Sequence, residues 1–220
     1  MSNGSGETPG LEAARIILEG GAVHVRTAGE PFFFSSGWAS PVFIDLKRLI
    51  SNPPARDRLV DLLLGHIADA WGTDSFDQVA GCELAGVPFA AITADRLGLP
   101  LVIALKQARG FDRLSQVEGV FEPGARTLLV DDLTTDGRTK ANFRDALERA
   151  QANVVGTTVI LNYGIYPTSA PGIASLTSLA DIIAAAEAGG LLDTGVLAEI
   201  RRFASDAPRW SRRHGGIGGR

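Results

Sequence analysis

The chain has 220 residues, 45% of them hydrophobic and 21% charged, with a formal net charge of −4 and one cysteine. That length gives one domain of ordinary to large size with a full core, the charge gives no basis for nucleic acid binding, and Cys82 alone excludes an intrachain disulfide and fits a reducing compartment. No run reaches membrane-spanning length and MSNGSGETPG lacks the basic and apolar regions of a signal peptide, so a cytoplasmic protein with a flexible lead over residues 1–10 is expected.

Apolar spacing at Leu11 and from Arg15 to Leu18 predicts a short helix ending at Gly20-Gly21. Phe32-Phe33-Phe34 and Val42-Phe43-Ile44 read as two short strands around the loop 35–41. Leu59, Leu62, Leu63, His66, Ile67 and Ala70 mark a helix closed by the polar break 72–77. Strand and helix then alternate: strand 78–80, helix 87–97, strand 101–104, a polar loop 107–118, strand 127–130, a helix to Ala150 and strand 154–161. Two more helices, 178–188 and 194–203, precede a basic, glycine-rich tail, 209–220, read as a solvated end or a flap over the site. Alternation of this kind predicts an α/β fold, a mainly parallel sheet flanked by helices on both faces. Ligands in such sheets bind at the carboxyl ends of the strands.

Residues 127–139, TLLVDDLTTDGRT, carry the strongest chemical signal. A buried strand is expected to stop at Asp131-Asp132, and a turn holding Gly137 then opens an amphipathic helix with apolar positions at Phe143, Ala146, Leu147 and Ala150. Such a junction offers unpaired N–H groups and the positive end of a helix dipole, and Thr134, Thr135 and Thr139 add hydroxyls, so it suits a phosphate. Paired carboxylates would repel that phosphate unless they face hydroxyls of the same ligand or a divalent cation. A sugar phosphate with vicinal hydroxyls and bound Mg²⁺ meets these demands together. A bare Asp-Asp pair is more often only a strand end with a polar turn; the whole string reverses that balance. Upstream, Gly81 and Gly86 bracket Cys82-Glu83-Leu84-Ala85, a turn able to aim several N–H groups inward as an anion nest. Cys82 is expected to be a small buried hydrophobe rather than a nucleophile. The stretch 106–119 carries three cations, Lys106, Arg109 and Arg113, and reads either as a solvated loop or as a mobile lid meeting a departing anion.

The 127–139 string resembles the ribose-phosphate motif of the type I phosphoribosyltransferases, and over roughly residues 11–165 the resemblance narrows to the orotate phosphoribosyltransferase family. FFFSSGWASPVFIDLKRLIS is similar to that family's hood and base-site segment, VAGCELAGVPFAAITADRLGLPLV to its pyrophosphate-loop strand and helix, and LK..R...VEG to its catalytic loop. NYGIYP at 162–167 and WSRRHGG at 210–216 resemble one bacterial branch. The chain departs from the family pattern at Leu105, where an arginine is usual, at Arg109 in place of the loop lysine, and at Phe111 in place of a histidine. Asp136 stands where a small residue is usual, with Arg138 placed to offset it, and Asn162-Tyr163 replaces an Asp-Arg pair.

The resemblance implies a type I phosphoribosyltransferase fold in a single domain: a hood over 11–50, a core over 51–165, and C-terminal helices and tail over 166–220 that contribute to the hood. It implies transfer of ribose 5-phosphate from phosphoribosyl pyrophosphate to orotate, with Asp131 and Asp132 on the ribose hydroxyls. Leu133, Thr134, Thr135, Asp136, Gly137, Arg138 and Thr139 would cradle the 5-phosphate, with Thr135 also near the base. Glu83, Leu84, Ala85 and Gly86 would hold the pyrophosphate, and Lys106 and Arg109 would neutralise it as it leaves. Ser36 and Phe43 would line the base pocket, Mg²⁺ would be bound mainly through the sugar pyrophosphate rather than by protein ligands, and a homodimer would share its sites through the mobile loop. Two rival readings are a phosphoribosyltransferase for another base, drawn from Leu105, Phe111 and Tyr163, and a regulatory protein that senses the sugar pyrophosphate without turnover.

Overall fold

The computed structural model describes residues 7–109, 115–167 and 172–218. Its chain order is α1 (Pro9–Glu19), β1 (Val23–Val25), β2 (Phe32–Phe33), β3 (Ala39–Ser40), β4 (Val42–Ile44), α2 (Pro53–Trp71), β5 (Gln78–Cys82), α3 (Gly86–Leu97), β6 (Leu101–Arg109), β7 (Ser115–Glu118), β8 (Arg126–Thr134), α4 (Arg138–Arg149), β9 (Asn153–Asn162), β10 (Ile173–Ser178), α5 (Leu179–Gly189), α6 (Thr194–Ser205) and α7 (Ala207–Arg213). Two compact units divide these elements: the described residues of Met1–Ala55, Tyr163–Pro167 and Thr177–Arg220 form one, and those of Arg56–Asn162 and Thr168–Leu176 the other. Among the described residues no helix is long and apolar enough to cross a membrane.

The second unit is built on a sheet in the order β10-β9-β8-β5-β6-β7. The pairs β5–β6, β5–β8 and β8–β9 are parallel, and β6–β7 is antiparallel. From β5 the chain crosses through α3 to β6 on one side, and from β8 it crosses through α4 to β9 on the other. Right-handed crossovers in opposite directions put α3 and α4 on opposite faces. Side chains agree: Ala80, Cys82, Leu129 and Val154 pack with Phe143 and Leu147 of α4, while a Cβ on Gly81 would meet Ala90 of α3 at 2.9 Å on the reverse face. The chain therefore changes direction between β5 and β8, and the crevice outside their carboxyl ends is where such sheets bind ligands.

The alternating core of the sequence reading stands, with its strands longer than expected, β6 and β8 most of all. Strand β8 does not stop at the acids but runs through them to Thr134, because β9 pairs with it to the end, Asp131 opposite Val159 and Thr134 opposite Asn162. Strand β6 runs to Arg109, and β7 returns antiparallel to it, so most of the polar loop is a β-hairpin; Gly110, Phe111, Asp112, Arg113 and Leu114 lie outside the described residues. The two aromatic strands of the first unit do not pair with each other. Phe32 pairs with Ser40 in a β2–β3 ladder, and Val23 with Ile44 in a β1–β4 ladder.

Within that first unit α1 packs on α5, α6 on α5 and α7 on β3. Helix α5 begins with a capping box, Ser178 and Asp181 each bonding the other's backbone N–H. Within the described part of the basic tail, Arg209 to Arg213 lie in α7 and the chain continues to Gly218. Ser211 on α7 is fully buried; its Oγ accepts the Ala39 N–H at 3.0 Å and donates to the Ile217 carbonyl at 2.5 Å, and the Ile217 N–H returns to the Gly37 carbonyl at 2.9 Å. Gly216 is required there, since a Cβ would lie 2.5 Å from Ala39 N.

Ser211→Ala would leave the buried Ala39 N–H without an acceptor. A loss of about 1–3 kcal/mol is expected, read as a lower urea midpoint at unchanged m-value.

Candidate active site

Two loops leave the sheet at the switch point. After β5 the chain turns through Glu83, Leu84 and Ala85, with a cis peptide between Glu83 and Leu84, and enters α3 at Gly86. After β8 it turns through Thr135, Asp136 and Gly137 and enters α4 at Arg138. Gly137 has φ +82°, a left-handed conformation that favours glycine. The first-turn N–H groups of each helix have no helical acceptor, so the two turns present donors side by side.

The bracketing glycines of the first turn serve close packing rather than an unusual backbone. A Cβ on Gly86 would stand 2.4 Å from Asp131 Oδ1 and 2.8 Å from Asp131 Cα, and one on Gly81 3.1 Å from Val87 Cα. Helix α3 thus touches the sheet backbone to backbone. Of the nest residues, the Glu83 N–H is used by the Ala104 carbonyl and the Val87 N–H by that of Leu84, which leaves the turn's inner peptides, Leu84 to Gly86, as candidate donors. The Leu84 side chain is exposed.

The acids themselves are buried, Asp131 4% and Asp132 8% exposed. Asp131 Oδ1 accepts the Asp132 N–H at 2.8 Å, Asp132 Oδ1 accepts the Leu133 N–H at 2.7 Å, and Asp131 Oδ2 is paired with Lys140 Nζ at 2.5 Å. Burial, then the Asp131 charge, pushes Asp132 up to about 8, and Lys140 opposes that rise. The Lys140 ammonium would lose its proton more readily through burial, but Asp131, with smaller help from Cys82 and Asp132, outweighs this and raises its pKa. Cys82 is fully buried, as expected, and burial followed by Asp131 drives its thiol well above the ordinary value, so it stays protonated.

Lys140 was not among the residues the motif reading selected, because a lysine in a helix reads as solvated. The signal lay in the spacing: Lys140, Phe143 and Leu147 stand at i, i+3 and i+7, one stripe of α4, and all three are buried.

Around the acids, Thr134 is buried inside β8, Thr135 lies in the turn, and Thr139 is exposed in the first turn of α4. The Asp136 carboxylate accepts the Arg138 N–H at 3.2 Å and pairs with the Arg138 guanidinium at 2.7 Å. Glu83 is directed at the hairpin, where Oε2 accepts the Lys106 N–H at 2.8 Å and Oε1 pairs with Arg109 at 2.6 Å. The Lys106 carbonyl accepts from Gln116 and from Asn142 of α4, so the β6–β7 ladder shifts register where this backbone bonds to side chains instead. The side chains of Lys106 and Arg109 remain exposed.

Ser36 and Phe43 belong to the first unit, both half-buried. The Phe43 ring lies 5.6 Å from that of Phe32 and 6.2 Å from that of His24, with Lys47 Nζ 5.9 Å from its centroid. Tyr163 is buried, and its hydroxyl accepts the Ile44 N–H at 3.1 Å, tying down β4. Leu105 is buried in the sheet. Neither therefore offers an open side chain to read another base, and Phe111 lies outside the described residues.

Comparison with known proteins agrees with this construction. The phosphoribosyl transferase domain model matches residues 47–168. The orotate phosphoribosyltransferase of Cereibacter sphaeroides is 43% identical over 204 residues, 90% of this chain and 88% of its own, and that of Dinoroseobacter shibae 39% over 208 residues, 91% and 92% respectively. The crystal structure of orotate phosphoribosyltransferase from Aeropyrum pernix superposes with a TM-score of 0.66 at 28% identity, covering 82% of this chain and 99% of that one. With a mainly parallel sheet, two donor-rich turns and a buried acid pair within the matched span 47–168, the chain belongs to the phosphoribosyltransferase family, among its orotate phosphoribosyltransferases.

Proposed function

We propose that the protein transfers ribose 5-phosphate from phosphoribosyl pyrophosphate to orotate, giving orotidine 5′-monophosphate and pyrophosphate for pyrimidine synthesis in the cytoplasm. The observation that carries the reading is the buried Asp131-Asp132 pair between two donor-rich turns, in a chain whose relatives bear that name over nine-tenths of its length. Breaking the bond between C1 and pyrophosphate leaves a sugar with oxocarbenium character, so catalysis requires negative charge near the ribose and positive charge near the leaving group. Asp131 and Asp132 accept the ribose hydroxyls and favour the cationic sugar. The 133–139 turn and the start of α4 receive the 5-phosphate. The peptides of Leu84, Ala85 and Gly86 receive the pyrophosphate, while Glu83 steers the hairpin. Arg109 and Lys106 meet the charge that grows on the departing group, which requires Arg109 to leave Glu83. Arg109 is largely exposed and can swing to the leaving group, while Glu83 keeps the Lys106 N–H.

The donor set fits Mg²⁺ carried on the ligand. Among the described residues no three acidic, histidine or cysteine groups gather to hold an ion, and Mg²⁺ keeps water and phosphate oxygens in preference to a protein cage. When bound it neutralises pyrophosphate oxygens. Ser36 and Phe43 receive the base, and the protein acts as a homodimer in which the β6–β7 hairpin reaches the neighbouring site; both assignments rest on the family resemblance.

Pyrophosphate release with orotate, Mg²⁺ and the sugar donor tests the reading as a whole. Chelation should abolish that activity without lowering the melting temperature of the ligand-free protein; a fall in melting temperature would indicate a structural metal instead. Asp131→Asn and Asp132→Asn should each lower turnover by about two orders of magnitude, the usual worth of one transition-state partner, and parental turnover in both would remove the ribose role.

The same Asp132 variant has an opposite effect on stability. With a native pKa raised above its unfolded value, Asp132 contributes stability fully present below about pH 4 that is lost as pH rises through about 8. Asp132→Asn should therefore match the parent near pH 4 and exceed it at pH 8 by about 1 kcal/mol or more, read from denaturation at both values.

Arg109→Ala should reduce turnover by about two to three orders of magnitude with a smaller change in donor affinity. Arg109→Lys should hold or raise activity, since a compact ammonium still meets the leaving group. Mixing Arg109→Ala with Asp132→Asn should restore some activity if the hairpin crosses between subunits; none despite confirmed subunit exchange would exclude a shared site.

A further inference from the structure

Lys140 is 7% exposed, and its ammonium is paired with Asp131 Oδ2 at 2.5 Å. Helix physics gives no reason for it. It sits in the first turn of α4, where the dipole disfavours a cation. It also lies on the stripe of Phe143 and Leu147, where an apolar side chain would pack. Stability does not call for it either, because a buried ion pair replaced as a whole by apolar residues is often neutral or stabilising. What the lysine does is specific to its partner. Asp131 Oδ1 is already held by the Asp132 N–H, and Lys140 takes Oδ2, so both oxygens are fixed while each keeps a second lone pair.

The charge count leads the same way. The titratable groups gathered here are Asp131 and Asp132 on β8, Cys82 on β5 and Lys140 on α4. With the thiol neutral, the ammonium offsets the Asp131 charge; without it the buried pair would resist ionisation still more, because neighbouring carboxylates keep a proton between them.

We propose that Lys140 is a positioning residue for the transfer: it fixes the Asp131 carboxylate and supplies a buried positive charge that lets Asp131 and Asp132 serve together as acceptors for the two ribose hydroxyls. This rests on the reading of Asp131 as a ribose acceptor. It assigns Lys140 no contact with substrate; it acts through Asp131.

The test is a double-mutant cycle in the full-length protein with Asp131→Asn, Lys140→Gln and the two combined, following melting temperature, KM for each substrate and kcat/KM against pH. In Lys140→Gln, KM for the sugar donor should rise by about tenfold or more while KM for orotate stays within about twofold, and the acid limb of kcat/KM should move up by about one pH unit, as expected when Asp132 loses its nearby cation. In the Asp131→Asn background the same change should add little, because the partner through which Lys140 acts is gone. A pH profile and donor KM unmoved in folded Lys140→Gln, or equal effects in both backgrounds, would overturn the proposal. Should Lys140→Gln not fold alone, the neutral pair in the combined variant removes the unpaired buried charge; kinetics matching Asp131→Asn then support the proposal, and a further loss of donor affinity overturns it. Parental turnover in Asp131→Asn would instead sink the ribose reading itself. The two failures are therefore separable.

Discussion

Two carboxylates at consecutive positions of a buried strand are costly, and the architecture around β8 is organised by that cost. Burial and mutual repulsion both oppose their ionisation. Their compensation comes from the strand's own N–H groups at Asp132 and Leu133 and from the Lys140 ammonium of α4, while α3 packs closely on Asp131 at Gly86. Residues from α4 and β8 are therefore bound into one electrostatic unit, packed against α3 at the point where the chain changes direction across the sheet.

The remaining charges are held more loosely. Arg109 and Glu83, and Arg138 and Asp136, pair at the rim, with much of each arginine exposed. The guanidiniums reach solvent, whereas the Glu83 and Asp136 carboxylates are largely buried. The site thus has a fixed acidic floor and a movable basic rim. A ligand with hydroxyls on one side and phosphates on the other presents the complementary pattern. Asp136, an unwelcome negative charge in the sequence, is neutralised locally by the arginine two residues on.

Legibility followed sequence distance. The β5-to-β9 core could be read because each element has its own periodicity and each turn its own glycines, and the 127–139 string because its strand, acids and turn are contiguous. What escaped depends on partners far along the chain. Strand β1 is only three residues, β7 and β10 carry several polar or small residues that blur their apolar alternation, and β8 gave no local sign that it continues through its acids, since only pairing with β9 determines that. Lys140 declared itself only by its register with Phe143 and Leu147. Gly81 and Gly86 also let α3 approach the sheet closely, a contact visible only once the helix is docked. The basic tail concealed Ser211, whose partner lies 172 residues away.

That last separation has a bearing on how the chain acquires its structure during synthesis. The 56–162 portion of the second unit is continuous in sequence, with mostly adjacent parallel pairings, and can begin to form as soon as β9 has emerged. The first unit is made of three stretches, and its Ala39 N–H has no side-chain acceptor until Ser211 has been translated. Contacts of such sequence separation form late, because the intervening chain must first give up its freedom. The segment bearing Ser36 and Phe43 is thus among the first to be made and among the last to be secured, so a nascent chain would gain its acid pair well before it gains a finished aromatic segment.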